Sequence, residues 1–301
     1  MRFSIWPGVS SWADVKDVVA HAEATGWDGA YVADHFMGDA GGFGPAEAPM
    51  LEATGVLAAL AASTSRLRLG SLVFGNTYRH PAVLANWAAT VDQISAGRLT
   101  LGVGAGWQEN EHAQYGIRLP PPGERVARFE EACQVWTGLL RQPATTVDGE
   151  HYRLTEALCE PKPVQDPLPL LIGGKGDRML GVVARYADQW NMWGLAPTIA
   201  ERSEVLARRC EAIGRDPAEI HRSAQALVLL TDDQQRARQF LEGTGGRAAI
   251  AGTVDQVAEA VAAWQGVGLD EVIVPDFTLG RGQARLDRMD AIIEQVAPTF
   301  R

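Results

Sequence analysis

A closed (β/α)8 barrel is the fold predicted by this sequence of 301 residues, and three observations carry the prediction. Eight apolar runs of strand length follow one another: Arg2–Ile5, Ala30–Ala33, Leu67–Phe74, Leu99–Val103, Pro169–Ile172, Gln189–Trp193, Ala224–Leu230 and Glu271–Val274. The pattern R-L-x-L-G occurs at Arg66–Gly70 and again at Arg98–Gly102, separated by the length of one strand, helix and return. A second echo joins Gly26-Trp27-Asp28 and Val32-Ala33-Asp34 to Gly268-Leu269-Asp270 and Val274-Pro275-Asp276. An open doubly wound sheet is the rival. Eight strand–helix units in a chain of this length favour closure, as one domain over residues 1–301 with an insertion between strands four and five.

Each element has a local reason. After the first strand, Trp12, Val15, Val18, Val19 and Ala22 form one helical stripe, with Ser11 and Asp14 placed as a capping pair and Gly26 as the stop. The second strand then runs without a turn residue into Asp34-His35-Phe36-Met37, an exit that marks the rim of a site better than a surface loop. Pro81 opens a helix where its missing N–H costs nothing, and Val83, Leu84, Trp87, Val91 and Ile94 carry the buried face to Gly97. Val126, Phe129, Cys133, Trp136 and Leu140 repeat the pattern. Between Gly116 and Asp166, PPPG and the proline-rich EPKPVQDPLP mark an insertion plus a helix, expected to form part of a lid.

Composition narrows the function classes. With 46% hydrophobic and 21% charged residues, the chain has material for a large core. No apolar run reaches the roughly 18 residues of a spanning helix, and the N-terminus lacks a basic region followed by an apolar stretch, so a cytoplasmic protein without a membrane partner is expected. Cys133, Cys159 and Cys210 are isolated, which argues against both a disulfide framework and a cysteine zinc site. His21, His80, His112, His151 and His221 show no H-x-H or H-x-x-x-H pairing, so no metal is expected. The net charge of −10 argues against sequence-independent nucleic-acid binding. An anionic ligand must therefore be held by local groups.

In a barrel the strand ends share one mouth. There the sequence places Asp34-His35, Gly75–His80, Gly104–Trp107, Gly173–Arg178 and Trp190–Gly194. Gly173-Gly174-Lys175-Gly176 follows a strand and precedes the amphipathic segment Met179–Tyr186, an anion seat in which the helix dipole and Lys175 or Arg178 favour phosphate; a tight βα turn is the plainer reading. Gly102-Val103-Gly104-Ala105-Gly106 has its third glycine one place early for a dinucleotide fingerprint. Its glycines admit either a flat ring or a neighbouring backbone, and the ring is the expectation. Asp34 and His35 are candidates for acid–base work, although adjacent strand residues point to opposite sides. Trp6, Trp107, Trp190 and Trp193, with Phe36 and Tyr78, suggest an apolar slot for a planar ligand.

Taken together, VADHF, LGSLVFGNTYRHPAVLANWAATVDQISAGRLTLGVGAGWQENEH, LLIGGKGD and GLDEVIVPDF resemble the luciferase-like family of flavin and deazaflavin TIM-barrel oxidoreductases along nearly the whole chain, and within it the branch dependent on coenzyme F420. The resemblance implies hydride transfer between F420 and a small organic substrate, with an FMN-dependent monooxygenase as the alternative, and a homodimer. It implies catalytic roles for His35, Asp34 and Trp107. Cofactor contacts would come from Asp34, Ser71, Leu72, Asn76, Gly104, Ala105, Gly106, Asn110, Gly173, Gly174, Lys175 and Gly176. The non-proline cis peptide common in the family would fall at Ser71–Leu72. Sugar-phosphate dehydrogenases of the family carry a glutamate where this chain has Trp107. That departure points to an apolar or aromatic substrate, with Glu109 or Glu111 as the nearest replacement acids.

Overall fold

The structure, a computed structural model, describes residues 1–41 and 44–301. Eight parallel strands form its centre: β1 (Arg2–Trp6), β2 (Gly29–Val32), β3 (Arg68–Ser71, resumed at Phe74–Gly75), β4 (Leu99–Gly104), β5 (Leu170–Gly173), β6 (Gln189–Trp193), β7 (His221–Gln225) and β8 (Glu271–Pro275). The ring is closed. β1 pairs with β8, Phe3 opposite Val272, and β3 pairs with β4, Leu69 opposite Leu99 and Phe74 opposite Val103. Side chains alternate along the strands, so Trp6, Tyr31, Leu171 and Ile273 fill the barrel while Ile5, Val32, Ile172 and Val274 pack outward under the helices.

The two sequence echoes turn out to be stitches between neighbouring units. Arg66 donates to the carbonyls of Ala22 and Glu23, in the last turn of α1 (Trp12–Thr25), and of Trp27. Arg98 does the same for Ala61, Thr64 and Leu67 around the end of α2 (Ala53–Ser63). Each arginine meets carbonyls that a helix end leaves unpaired, and its charge suits the negative end of the helix. The aspartates behave alike: Asp28 accepts the Phe3 N–H and Asp270 the Arg222 N–H, both at 2.8 Å, tying each strand start to the strand beside it.

Several expectations need correction. The run Ala224–Leu230 is two strands: β7 ends at Gln225, and Leu227–Leu230 pairs in parallel with Ala249–Gly252, a strand not read from the sequence. Helix α8 (Gln234–Glu242) lies between them. An apolar run cannot show that a chain changes sheets. The insertion before β5 comprises α5 (Pro122–Arg141) and a hairpin, Thr145–Asp148 with Arg153–Ala157. Glu131 on α5 accepts the N–H groups of Glu150, His151 and Tyr152, which seats the hairpin against that helix. None of its described residues lines the cavity at the mouth; instead Arg125 on α5 donates to the Gly106 carbonyl at 2.9 Å and the Tyr152 hydroxyl donates to Asn76 at 3.4 Å, so where a lid was expected the insertion braces the rim from outside. Ser11 occupies the N-cap of α1 without a side-chain hydrogen bond. The cis peptide lies at Leu72–Val73, one bond beyond the expected place, because the Leu72 N–H still donates to Val32 and keeps the ladder to β2 up to that residue.

Candidate active site

A cavity of about 510 Å³ opens at the C-terminal end of the barrel, within the size range of small-molecule sites. Trp6 comes from the end of β1, Asp34 and His35 from β2, Leu72, Val73, Gly75 and Tyr78 from the irregular part of β3, and Gly104–Trp107 from β4. Gly173–Lys175 follow β5, Asn191–Trp193 belong to β6, Gln225 ends β7, and Met179 closes one side. Asp34, Trp107 and Gly174, far apart in the chain, face one cleft.

His35 is set by a residue that sequence reasoning ranked only as a substitute acid. Its Nδ1 lies 2.8 Å from Oε1 of Glu111, on the short helix α4 (Glu109–Tyr115) after β4. Glu111 is fully buried and also accepts the Phe36 N–H at 2.8 Å and the Tyr78 hydroxyl. Burial alone would push its carboxyl up, but the hydrogen bonds from His35, Phe36 and Tyr78 outweigh this and hold it below the ordinary value. Burial and the Glu111 charge push the Tyr78 hydroxyl well up, so it stays a donor. An ionised carboxylate only accepts, so the proton on a neutral His35 ring sits at Nδ1, toward Glu111. Trp107 packs edge-on to the imidazole, centroids 5.3 Å apart, and is 52% exposed, forming an outer wall.

Asp34 has another occupation. Arg79 grips its two oxygens at 2.8 Å each, and the Gly75 N–H donates to it at 2.9 Å. Arg79 also bonds Glu52 at the head of α2. Burial raises the Asp34 carboxyl while Arg79 and Gly75 pull it down. Its oxygens are taken up in fixing the β3 exit, and the carboxylate that His35 meets is that of Glu111. The matching strand-end Asp276 repeats the arrangement with the Gly8 N–H and Arg285.

The glycines of β4 and its exit prove to have a neighbour's reason. A Cβ at Gly102 would stand 2.0 Å from the Ser71 carbonyl oxygen, at Gly104 2.6 Å from a Val73 methyl, and at Gly106, where φ is +88°, 2.7 Å from the Thr77 hydroxyl. They let the broken strand β3 lean on β4, so the plainer reading replaces the flat ring as their cause, even though Gly104 and Gly106 edge the cavity.

The Gly173–Gly176 turn leads into α6 (Asp177–Tyr186), with Gly176 as N-cap. Gly174 already donates its N–H to Asn191 and accepts from the Trp190 indole, and a Cβ there would strike Met179 at 2.9 Å. Gly176, by contrast, has open space beside its α-carbon. Lys175 lines the cavity; Arg178 donates to the Gly123 carbonyl, and Arg202 on α7 (Ala196–Glu211) balances Asp177 at 2.7 Å.

Four expected contacts stand outside the cleft. Ser71 donates to the Gly102 carbonyl, Asn76 pairs with the Gly104 carbonyl through its N–H, Asn110 donates to the Gly38 carbonyl, and Gly176 is exposed at the N-cap of α6, next to Lys175. Trp6, Trp107, Trp193 and Tyr78 line it as expected, whereas Trp190 is buried behind β5 and Phe36 stacks on Tyr115. Val73, Met179, Gln225 and the brace Arg79 were not picked out as contacts, since nothing in their local pattern separates them from core or surface residues.

The fold and site define a (β/α)8 barrel with a cleft at the C-terminal mouth, apolar on most sides, edged by an imidazole–carboxylate pair and a cation at a helix start. The model of the luciferase-like monooxygenase family matches residues 1–243, and the chain belongs to that family. It is 33% identical over 237 residues to an F420-dependent glucose-6-phosphate dehydrogenase of Nakamurella multipartita, a match spanning 75% of this chain and 66%, just under two thirds, of that one. An F420-dependent secondary alcohol dehydrogenase in complex with an F420-acetone adduct superposes with a TM-score of 0.87 over 100% of this chain and 99% of its own, at 18% identity. Monooxygenase RslO1 from Streptomyces bottropensis gives 0.81 over the whole of both chains, at 23% identity. Both likenesses concern the fold.

Proposed function

We propose that this protein is an oxidoreductase that transfers hydride between coenzyme F420 and a small organic substrate bound beside His35. One observation carries the reading: a histidine oriented by a buried glutamate stands at the edge of a cleft whose opposite side ends in Lys175 and the start of α6. The named dehydrogenase relative supports F420 as the cofactor. The RslO1 fold keeps an FMN-dependent monooxygenase as the second reading.

The residues present suit a flat, negatively tailed cofactor. Leu72, Val73, Ala105, Met179 and Trp193 give apolar walls, and Lys175 with the open side of Gly176 offers a place for phosphate. When bound, a deazaflavin supplies two-electron hydride chemistry without ready oxygen activation. His35 Nε2 gives or takes the proton that accompanies the hydride. Glu111 is a positioning residue: it fixes the tautomer and stabilises the imidazolium. Asp34 and Arg79 keep the β3 exit in place, and Trp107 limits access of water to the imidazole. Ser71, Asn76 and Asn110 act by holding the loops of the rim. An indole at position 107 favours an apolar or aromatic substrate body. By family resemblance, we place this single-domain protein in the cytoplasm as a homodimer.

Titrating the purified protein with F420 and with FMN, each followed by its own fluorescence, tests the reading. Micromolar or tighter F420 binding with weak FMN binding is expected; tight FMN binding with no deazaflavin binding would reverse the assignment.

A further inference from the structure

A second chamber of about 560 Å³ adjoins the first and shares three of its walls, Trp107, Lys175 and Trp193. Phe277, from the loop after β8, adds a third aromatic face. Arg247 also lines the chamber, from the segment between α8 and Ala249–Gly252, the same insertion that breaks the seventh strand run. Asp39 is the acid among its described residues, and its carboxylate accepts the Gly41 N–H of its own turn at 2.9 Å.

The two cations of this chamber differ from the other rim arginines. Arg79 is matched to Asp34 and Glu52, Arg202 to Asp177 and Glu201, and Arg285 to Asp276 and Asp14. Neither the Arg247 guanidinium nor the Lys175 ammonium has a carboxylate partner among the described residues. In a chain of net charge −10, two unmatched cations on the wall of an aromatic chamber concentrate positive potential at that spot. A guanidinium receives a carboxylate or phosphate in a two-point fork, and indole and phenyl faces take up a planar apolar body.

We propose that this second chamber binds the substrate, and that the substrate is a small aromatic or apolar acid whose anionic group is held by Arg247. The shared wall then sets the apolar part of the molecule toward His35. This rests on the cofactor reading only for the direction in which the substrate points; the chamber's preference for an aromatic anion stands apart from it.

The test uses benzoate and its neutral counterpart benzamide as probes, titrated calorimetrically into the protein with and without F420. Benzoate is expected to bind at least tenfold more tightly than benzamide, and Arg247→Gln to remove that preference while Arg247→Lys retains part of it. Arg247 is exposed, so the variants should melt with the parent. Equal affinity for the two probes, no benzoate binding at millimolar concentration, or undiminished preference in Arg247→Gln would each overturn the proposal. So would a tenfold loss of F420 affinity in Arg247→Gln, which would give the chamber to the acidic tail of the cofactor. Failure of F420 to bind at all would remove the cofactor reading and leave the benzoate comparison to decide the chamber by itself.

Discussion

Two buried glutamates, each joined by a histidine and a tyrosine, sit at opposite ends of the barrel. Near the mouth, Glu111 takes His35, Tyr78 and the Phe36 N–H. Among the strand starts, Glu271 takes His221 at 3.1 Å, Tyr31 at 3.4 Å and Ser4 at 2.5 Å. The chemistry is nearly the same; the surroundings are not. His35 faces the 510 Å³ cleft, while the described residues lining that cleft include neither Glu271 nor any of its partners. Under the proposed function, the imidazole–carboxylate pair that a substrate can reach is the acid–base machinery, while the one at the other end serves stability.

The comparison can be broken by substitution. His35→Ala should slow steady-state turnover by roughly 10²–10⁴ with cofactor affinity retained, whereas His221→Ala should leave turnover per folded molecule unchanged. Comparable losses from both would end the distinction. Glu271→Ala leaves a hydroxyl, a phenol and an imidazole without their buried partner and should cost about 3–5 kcal/mol in urea unfolding, again with normal turnover of the folded fraction. Glu111→Gln is expected to lose about 1.5–3 kcal/mol of transition-state stabilisation, roughly tenfold to hundredfold in rate, and to move the pH profile of turnover; a stability loss with an unmoved profile would make it a packing residue.

Acid sharpens the same contrast. Glu111 and Glu271 both have carboxyls lowered from 4.5 because hydrogen bonds outweigh burial. The unfolded chain then binds more protons in that range, so their contribution is present above pH 4.5 and lost as the pH falls through the lower folded values. Stability measured against pH should drop below that point, and Glu271→Gln should flatten the drop. The smallest effect is expected at the anion seat: Gly176→Val should weaken cofactor binding about tenfold with an unchanged melting temperature. Gly174→Val is no clean probe, since φ is +139° there and Met179 blocks the side chain; it should destabilise the protein whatever binds nearby.

Much of the fold was legible because its signals are local. Apolar runs of strand length marked the strands and period-3.6 apolar spacing several helices, and Gly26 and Pro81 marked helix ends where they occur. The Ala-rich α2 lacks a contrasting polar face and went unread. The clustering of strand ends at one mouth followed from closure, and with it the convergence of Asp34, His35, Trp107 and Gly174.

What the amino-acid order determined by itself was the barrel, the end at which the strand ends form a cleft and the residue types gathered there, since each depends on the spacing of neighbours along the chain. Tertiary structure alone decided that Glu111 rather than Asp34 orients His35, that the glycines of β4 and its exit make room for β3, and that the chain leaves the barrel after Gln225 to carry Arg247 to the mouth. Those outcomes are contacts between residues distant in sequence, and a contact of that kind has no spacing to read until packing brings its two sides together.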